Sequence, residues 1–398
     1  MLKSISFSSY KRFKDGNKLQ IKPVTILVGK NSSGKSSVCK LIPTLVRSIT
    51  PRNKSLTPIL FNTNGISLGT SFSDISHNGD SVGLTFGMEF SEGFDIKVDL
   101  ISEDLDQSMM IGKYTLTINN EKYILSYDRN KEGYNNNFDK DAQEKFISLG
   151  LYNEDLFKRV GVDDKAFLQE VDYVGPFRVI PQRTYYSKGF EIEDHVGIMG
   201  EKAYDVLYRD TDVTKKVSQW YNDNFGSILS VDGLDSEMGA YHINLTNPLS
   251  QKVVNIVDEG QGMSQVLPIV TRCFMKEKDS IVVMEQPELH LHPKAHAALG
   301  ELFAKTSKEN SQYYVVETHS ENLLLGLRNA VVDESIDFNP DDIIIYFVDE
   351  DEDDGSAYLR EITINDEGLL SHWPTGVFNE SYDLLSEIRN KVLSRKAK

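Results

Sequence analysis

The chain has 398 residues, of which 39% are hydrophobic and 26% charged, and its formal net charge at pH 7 is −17. This composition is typical of a globular protein and excludes a mostly disordered chain. No apolar run approaches the ~18 residues of a membrane-spanning helix, and the first residues lack a secretory apolar core. Cys39 and Cys273 are the only cysteines, which argues against a disulfide framework and predicts a cytoplasmic protein.

The charge is distributed unevenly. Residues 1–54 carry twelve Lys and Arg against a single acidic residue, Asp15, so the remainder of the chain is strongly acidic. A chain this acidic is not a general polyanion binder, although a basic segment can bind phosphate locally, from a nucleotide or a nucleic acid.

The chain begins with a pattern of strand, turn, strand, loop and helix. Residues 5–13 alternate loosely, and the β-branched run Val24–Val28 predicts a strand that is buried on both faces. A helix is predicted from Lys35 to about Ile49, ended by Pro51.

Residues 55–170 have a different pattern, with predicted strands over 81–90 and 94–100 and a hairpin around Asn119-Asn120. From about 139 to 169 the pattern becomes helical. We interpret this region as a mainly β lobe that is inserted into the first domain.

The last part of the chain returns to an α/β pattern. A helix is predicted over about 201–225, strands near 227–256, and a further helix after Asp258. Short apolar runs at 281–284, 313–316 and 343–348, with a helix over 293–308, predict a parallel sheet. The predicted organisation is an α/β head formed by residues 1–54 and 171–398, with the lobe at 55–170.

The strongest motif is a phosphate-binding loop, since Gly29–Ser36 fits G-x-x-x-x-G-K-[ST] in full between a buried strand and a helix. Its backbone N–H groups and the helix N-terminus would hold phosphate, Lys35 would reach the β- and γ-phosphates, and Ser36 would bind Mg²⁺. The predicted nucleotide-binding residues of this segment are Gly29, Lys30, Asn31, Ser32, Ser33, Gly34, Lys35, Ser36 and Ser37.

Two further strand ends carry candidate catalytic residues. Glu285 ends an apolar strand and is the expected carboxylate for the magnesium ion and its water. His319 follows another strand on the same sheet edge, where it can reach a γ-phosphate.

These motifs, in this order, resemble ABC-type ATPases related to chromosome-maintenance and recombination-repair ATPases and to the overcoming-lysogenisation-defect nucleases. The segments Glu285–Pro293 and Trp373–Phe378 resemble a compact bacterial subgroup, many members of which serve in phage defence, such as Septu and retron-linked ATPases. The resemblance implies an ABC-type P-loop ATPase head that binds ATP and Mg²⁺.

The resemblance also implies a head-to-tail homodimer with composite ATP sites. The signature of one subunit, matched by Gly260, Gly262 and Ser264, would face the partner's γ-phosphate. It further suggests Arg12 as a nucleotide contact and Gln182 as a ligand in the loop that senses magnesium and water.

One departure concerns catalysis. In ABC ATPases the residue after the Walker B acid is a catalytic glutamate, whereas this chain has Gln286. Glutamine can orient water but cannot accept its proton, so hydrolysis is expected to be slow, or Glu288 takes the place of the base.

We therefore predict an ATPase whose ATP-dependent dimerisation switches a separate effector, a nuclease in antiphage defence. We expect any contact with nucleic acid to be indirect, and we expect no association with a membrane.

One alternative is a chromosome or repair ATPase that clamps DNA, which the lack of coiled-coil arms disfavours. The other is a transporter nucleotide-binding subunit, which the signature region Asp258–Gln265 and the β lobe disfavour. Glu288, His290, His292 and His296 could suggest a metal site, but a spacing of two residues places side chains on one face of a strand and not of a helix, so we expect structural roles for them.

Overall fold

A computed structural model describes residues 1–53, 55–80, 83–103, 108–138, 150–187, 195–235, 239–372 and 384–391. The strands are β1 Leu2–Ser8, β2 Asn17–Gln20, β3 Val24–Gly29, β4 Asn62–Thr63, β5 Ile66–Ser67, β6 Leu84–Phe90, β7 Phe94–Glu103, β8 Ser108–Ile118, β9 Glu121–Asp128, β10 Gly133–Asn136, β11 Val171–Val174, β12 Tyr185–Tyr186, β13 Ile228–Asp235, β14 Ala240–Thr246, β15 Val253–Asn255, β16 Ile281–Glu285, β17 Tyr313–Glu317, β18 Ile343–Glu350 and β19 Ala357–Ile362. The α-helices are α1 Lys35–Ile49, α2 Phe72–Ile75, α3 Glu154–Val160, α4 Ala203–Arg209, α5 Thr211–Phe225, α6 Gln261–Phe274, α7 Pro293–Glu309 and α8 Glu321–Val332.

The functional loops arise from a six-stranded sheet with the order β11-β16-β17-β3-β18-β19. Its first five strands are parallel, and only β19 is antiparallel to its neighbour. Strand β3 is buried at every residue because both faces of the sheet are covered, which explains its continuous apolar run. The prediction of an α/β fold with a parallel sheet is confirmed.

Two hydrophobic cores lie on the two faces of this sheet. Leu27 joins the core formed with α1 and the antiparallel strands, whereas Val24, Ile26 and Val28 join the core formed with α4 to α8. Alternate side chains of one strand point to opposite faces, so β3 contributes to both cores. Its carboxyl end is thereby held rigidly where the phosphate-binding loop begins.

A seven-stranded antiparallel sheet, with the order β10-β9-β8-β7-β6-β1-β2, covers one side. Strand β1 pairs with β6, so the strands of the predicted lobe share one sheet with the N-terminal strands. The hairpin at Asn119-Asn120 is confirmed, with both residues at positive φ as a tight turn of this kind requires. The domain boundaries at 54/55 and 170/171 stay predictions.

The helix expected over 201–225 is in fact two helices, α4 and α5. Asp210 separates them because its side chain accepts hydrogen bonds from the N–H groups of Asp212 and Val213, which caps the start of α5. The helical pattern of 139–169 is confirmed only in part, by α3 and a 3-10 turn over Asp164–Phe167, since 139–149 lies outside the described residues.

Two other expectations from the sequence concern the segment near the carboxyl terminus and membrane-spanning helices. The segment Trp373–Phe378 also lies outside the described residues. Within the described part of the chain, none of the helices combines the length and the apolar character needed to cross a membrane.

Candidate functional site

A cavity of about 580 Å³ lies at the carboxyl ends of β3, β16 and β17. It combines the phosphate-binding loop with residues from four other regions of the chain. Its lining is formed by Lys11, Arg12, Asn31, Ser32, Ser33, Gly34, Lys35, Ser36, Ser37, Ser73, Asp74, Ser76, Asn78, Gly79, Gln286, Glu317 and His319. Nine of the residues predicted from the sequence therefore meet in one place: Arg12, Asn31–Ser37 and His319 — with Gln286 as a tenth.

The phosphate-binding loop runs from the end of β3 to the first turn of α1. Gly34 has φ +112°, and a Cβ at this position would lie 2.9 Å from the Phe13 ring, so the loop needs glycine here. Lys35 is 3% exposed, and its amine donates to the carbonyls of Gly29 at 3.0 Å and Lys30 at 2.7 Å. Burial lowers the pKa of Lys35, and the Glu317 carboxylate opposes that shift.

This loop fits a nucleotide phosphate. The Ser33 hydroxyl is buried without a hydrogen-bond partner among the described residues, and the Lys35 amine holds only loop carbonyls. Phosphate oxygens are strong acceptors for both groups. Serine hydroxyl and carboxylate oxygens, as in Ser36 with Glu285 and Glu317, are ligands that suit Mg²⁺.

Two buried carboxylates lie side by side behind the loop. Glu285 and Glu317 end the neighbouring strands β16 and β17 in direct register, and each is 4% exposed. The Tyr173 hydroxyl donates to Glu285 at 2.5 Å, and the Ser36 hydroxyl donates to Glu317 at 2.7 Å. The sequence motifs assign no role to Glu317, although it ends an apolar strand just as Glu285 does.

Burial controls the ionisation of both carboxylates. It raises the pKa of Glu285 to about 7, reinforced by the Glu317 charge and opposed by the Tyr173 hydrogen bond. Burial also raises the pKa of Glu317, against the effects of Ser36 and Lys35. A bound cation would favour the ionised form of both groups.

The raised pKa of Glu285 predicts how the stability of the metal-free protein depends on pH. Between the ordinary pKa of about 4.5 and the folded-state value of about 7, the folded chain binds more protons than the unfolded chain, so stability falls as the pH rises. Glu285→Gln removes the cost of a buried charge. In EDTA at pH 8 its free energy of unfolding should exceed that of wild type by about 1–3 kcal/mol, and the gain should disappear as the pH falls to 4.5.

Urea unfolding at several pH values measures this difference. The same substitution at the exposed Glu367 is the control and should change stability little at any pH. A Glu285→Gln variant that is less stable than wild type at pH 8 would contradict the prediction.

Gln286 is held at the cavity by its backbone, which has φ +46°. Its N–H donates to the Glu317 carbonyl at 2.8 Å, and its own carbonyl accepts from Arg178 Nη2 at 2.8 Å. Arg178 also donates to the Glu285 carbonyl at 2.9 Å. Burial lowers the pKa of Arg178 to about 10, opposed by the charge of Glu288.

Glu288 does not line the cavity. Its Oε1 accepts from the Thr318 hydroxyl at 2.7 Å and from the His319 N–H at 2.9 Å. This carboxylate therefore holds the turn that presents His319, and the geometry does not support the expectation that Glu288 replaces the catalytic base.

His319 is exposed and faces the cavity. Surrounding protein atoms, and then the charge of Lys35, lower its pKa. The imidazole is consequently neutral at pH 7 and can donate one hydrogen bond to a phosphate oxygen.

Arg12 connects the loop to the acidic turn after β18. Its Nη1 donates to the Ser32 carbonyl at 2.6 Å and forms an ion pair with Glu350 at 2.8 Å, and its Nη2 donates to the Gly355 carbonyl at 3.1 Å. A phosphate contact by Arg12 would compete with these partners.

The predicted signature residues lie away from the cavity of their own chain. Gly260 is the exposed N-cap of α6, and as a glycine it has no side chain to cap the helix. A Cβ at Gly262 would lie 2.6 Å from the His290 carbonyl. Ser264 is 3% exposed and its hydroxyl donates to the Gln261 carbonyl, and its contact with a partner's phosphate stays a prediction.

Gln182 is also separate from the site. It lines a second cavity of about 390 Å³, and its N–H donates to the Tyr185 hydroxyl at 2.8 Å. Gln182, the third predicted metal ligand, therefore does not lie beside Ser36 and Glu285. The loop that carries it lies against Tyr204 of α4 and Tyr241 of β14.

Two of the three histidines near Glu288 have structural partners. His292 caps α7 by accepting from the Lys294 N–H, and His296 bonds to the Ser320 hydroxyl and the Leu291 carbonyl. Among the residues that the structure describes, no three or more His, Cys, Asp or Glu side chains are grouped as a metal site would require.

The model of a family described as "AAA domain, putative AbiEii toxin, Type IV TA system" matches residues 24–326. A second family model, described as "Protein of unknown function (DUF3696)", matches residues 338–388. No curated protein matches the chain.

Three solved structures of SMC heads are similar in shape. The SMC head domain from Thermotoga maritima has 13% identity and a TM-score of 0.42, over 90% of this chain and 98% of that chain. An SmcHead bound to the C-winged helix domain of ScpA has 10% identity and a TM-score of 0.46, over 91% and 98%. An Smc head with an extended coiled coil, bound to the C-terminal domain of ScpA derived from Pyrococcus furiosus, has 11% identity and a TM-score of 0.45, over 98% and 99%.

Proposed function

Because the chain belongs to the family of AAA domains described as putative AbiEii toxins of type IV toxin–antitoxin systems, we propose that its P-loop ATPase head uses ATP to switch a separate effector protein. In this proposal the chain binds ATP and Mg²⁺, forms a head-to-tail homodimer or a higher oligomer, and hydrolyses ATP slowly. The effector is a nuclease of an antiphage defence system. The chain's fold is the α/β head of an ABC-type ATPase with a β-rich lobe.

One observation carries the ATPase part of the proposal. Residues 31–36 of the phosphate-binding loop, the buried carboxylate Glu317 and His319 line a single cavity. Glu285 lies directly behind it, in register with Glu317. Mg²⁺ supplies Lewis-acid stabilisation of phosphate charge in ATPases of this kind, and Ser36 and Glu285 would hold it.

Each protein group has a definite task with bound ATP. Lys35 exchanges its loop carbonyls for phosphate oxygens, and the N–H groups at the start of α1 face the same phosphates. His319 donates to the terminal phosphate. Gln286 orients the attacking water without removing its proton, which is why we propose slow turnover.

The effector part of the proposal is tested by sequencing the genes that flank this one and expressing any nuclease found there. The two proteins are purified together, and cleavage of plasmid DNA and of RNA is measured with ATP, with ADP and without nucleotide. Cleavage that differs between ATP and ADP supports a switch, and the difference should disappear in Lys35→Ala. Salt-dependent binding of duplex DNA by this chain alone would instead favour the DNA-clamping ATPase.

Dimerisation through the start of α6 leads to a prediction at Gly260. The position is exposed with open space around it, and Asp and Asn both favour helix N-caps. Gly260→Asp should therefore preserve the fold, yet place a negative charge against the partner's γ-phosphate. We expect ATP-dependent dimers, measured by light scattering, to be lost in Gly260→Asp and retained in Gly260→Asn.

A mixture of chains makes this prediction more specific. Lys35→Ala disables the phosphate loop and Gly260→Asp disables the signature, so a heterodimer of the two keeps one intact composite site. ATP should then produce dimers in the mixture although neither variant dimerises alone. A strictly monomeric mass for wild type at all ATP concentrations, or wild-type dimers in Gly260→Asp, would count against the composite site.

A further inference from the structure

Glu317 is a buried carboxylate in the nucleotide cavity that the P-loop motif leaves without a role. It is the last residue of β17, it is 4% exposed, and it lines the cavity. Its register partner on β16 is Glu285. Two carboxylates thus end adjacent parallel strands at the same level of the sheet.

The hydrogen bond between Ser36 and Glu317 has a direction that matters. Glu317 Oε2 lies 2.7 Å from Ser36 Oγ and accepts its hydrogen. A serine hydroxyl has one hydrogen and two lone pairs. With the hydrogen directed to Glu317, the lone pairs of Ser36 face away from this carboxylate and are free to bind a cation.

Neighbouring groups balance the charge of Glu317 only in part, because the nearby Lys35 charge favours the ionised carboxylate but does not outweigh its burial. The Lys35 amine donates to the carbonyls of Gly29 and Lys30, and the described residues contain no ion pair between Lys35 and Glu317. Two buried carboxylates in register are costly unless a positive charge compensates them. A hard divalent cation with oxygen ligands meets that need.

We propose that Glu317 is a positioning residue of the magnesium site, which orients the Ser36 hydroxyl as a cation ligand and adds a second negative charge beside Glu285. The inference rests on the proposed function, since it takes for granted that ATP and Mg²⁺ bind in this cavity. Partners that orient a metal ligand typically change metal affinity by about 10–100-fold when they are removed.

The test is a calorimetric titration of the full chain with ATP, in EDTA and over a series of free Mg²⁺ concentrations. For Glu317→Gln, which keeps the shape but loses the charge, the Mg²⁺ concentration that gives half of the full effect on ATP affinity should rise about 10–100-fold. ATP affinity in EDTA should stay unchanged or increase, because a negative charge near the triphosphate has been removed. Glu317→Asp restores the charge and should recover part of the loss.

Coupling to Ser36 separates a positioning role from a structural one. Ser36→Ala should weaken the Mg²⁺ effect similarly, and the double variant should lose little more than the more affected single variant, because both act on one ligand. Electron paramagnetic resonance with Mn²⁺ in place of Mg²⁺ should show weaker binding of the ion in both single variants.

Two results would overturn the inference. One is a Glu317→Gln variant with the wild-type dependence on Mg²⁺. The other is a variant that loses ATP affinity equally in EDTA and in Mg²⁺, because that result would mean a structural role. If wild type itself binds no ATP, the proposed function fails, and this outcome is visible before any variant is made.

Discussion

Lys35→Ala is expected to reduce ATP affinity by about 100-fold or more. The Lys35 amine is held in the loop by two carbonyls and is shielded from water, so its contacts with phosphate are charge-assisted and poorly screened. Hydrogen bonds to charged groups contribute about 1.5–3 kcal/mol each, and two of them correspond to roughly this loss of affinity. A calorimetric titration with ATP and Mg²⁺ measures it.

Lys30 offers a matched control for this substitution. The motif predicts Lys30 as a nucleotide contact, but the structure does not bring its side chain to the site, since it is exposed and does not line the cavity. Lys30→Ala removes the same formal charge and should leave ATP affinity within a few-fold of wild type. Equal affinities for Lys35→Ala and wild type would contradict the assignment of the loop as the nucleotide site.

Gln286→Glu is expected to accelerate ATP hydrolysis, by up to the ~10²–10⁴-fold that general-base catalysis typically contributes. The backbone of residue 286 is fixed by the Glu317 carbonyl and by Arg178, so the new carboxyl should occupy the position of the amide at the cavity. The carboxylates of Glu285 and Glu317 lie close by and should raise the pKa of the new group towards neutrality, which suits a general base. Phosphate release under saturating ATP and Mg²⁺ measures the rate.

Two further variants distinguish the possible bases. Gln182→Glu makes the same chemical change in the other cavity and should leave the rate unaltered. Glu288→Gln would stop hydrolysis while ATP still binds if Glu288 were the base, whereas its bonds to Thr318 and His319 predict a smaller effect through the position of His319. Wild-type turnover above ~10 s⁻¹, an ordinary enzyme rate, that is insensitive to both Gln286→Glu and Glu288→Gln would defeat the slow-switch proposal.

The features that could be predicted from the sequence are those formed by a few consecutive residues. The loop Gly29–Ser36 is one, because its own backbone forms the phosphate site, and α1 begins and ends at the predicted residues. The strands at 281–284, 313–316 and 343–348 are also confirmed, since burial on both faces gives each of them a continuous apolar run. The AAA-domain family model matches residues 24–326, a range that includes the phosphate-binding loop, Glu285 and His319.

Only the tertiary structure shows which distant segments of the chain come together at the candidate site. Glu317 lies at the site because its strand is in register with the strand of Glu285. Glu288 lies outside the cavity, where its carboxylate accepts a hydrogen bond from Thr318. Ser264 is buried on α6, and Gln182 lines another cavity. Strand register and side-chain burial depend on contacts between residues far apart in the chain, and these contacts leave no local pattern in the sequence to read.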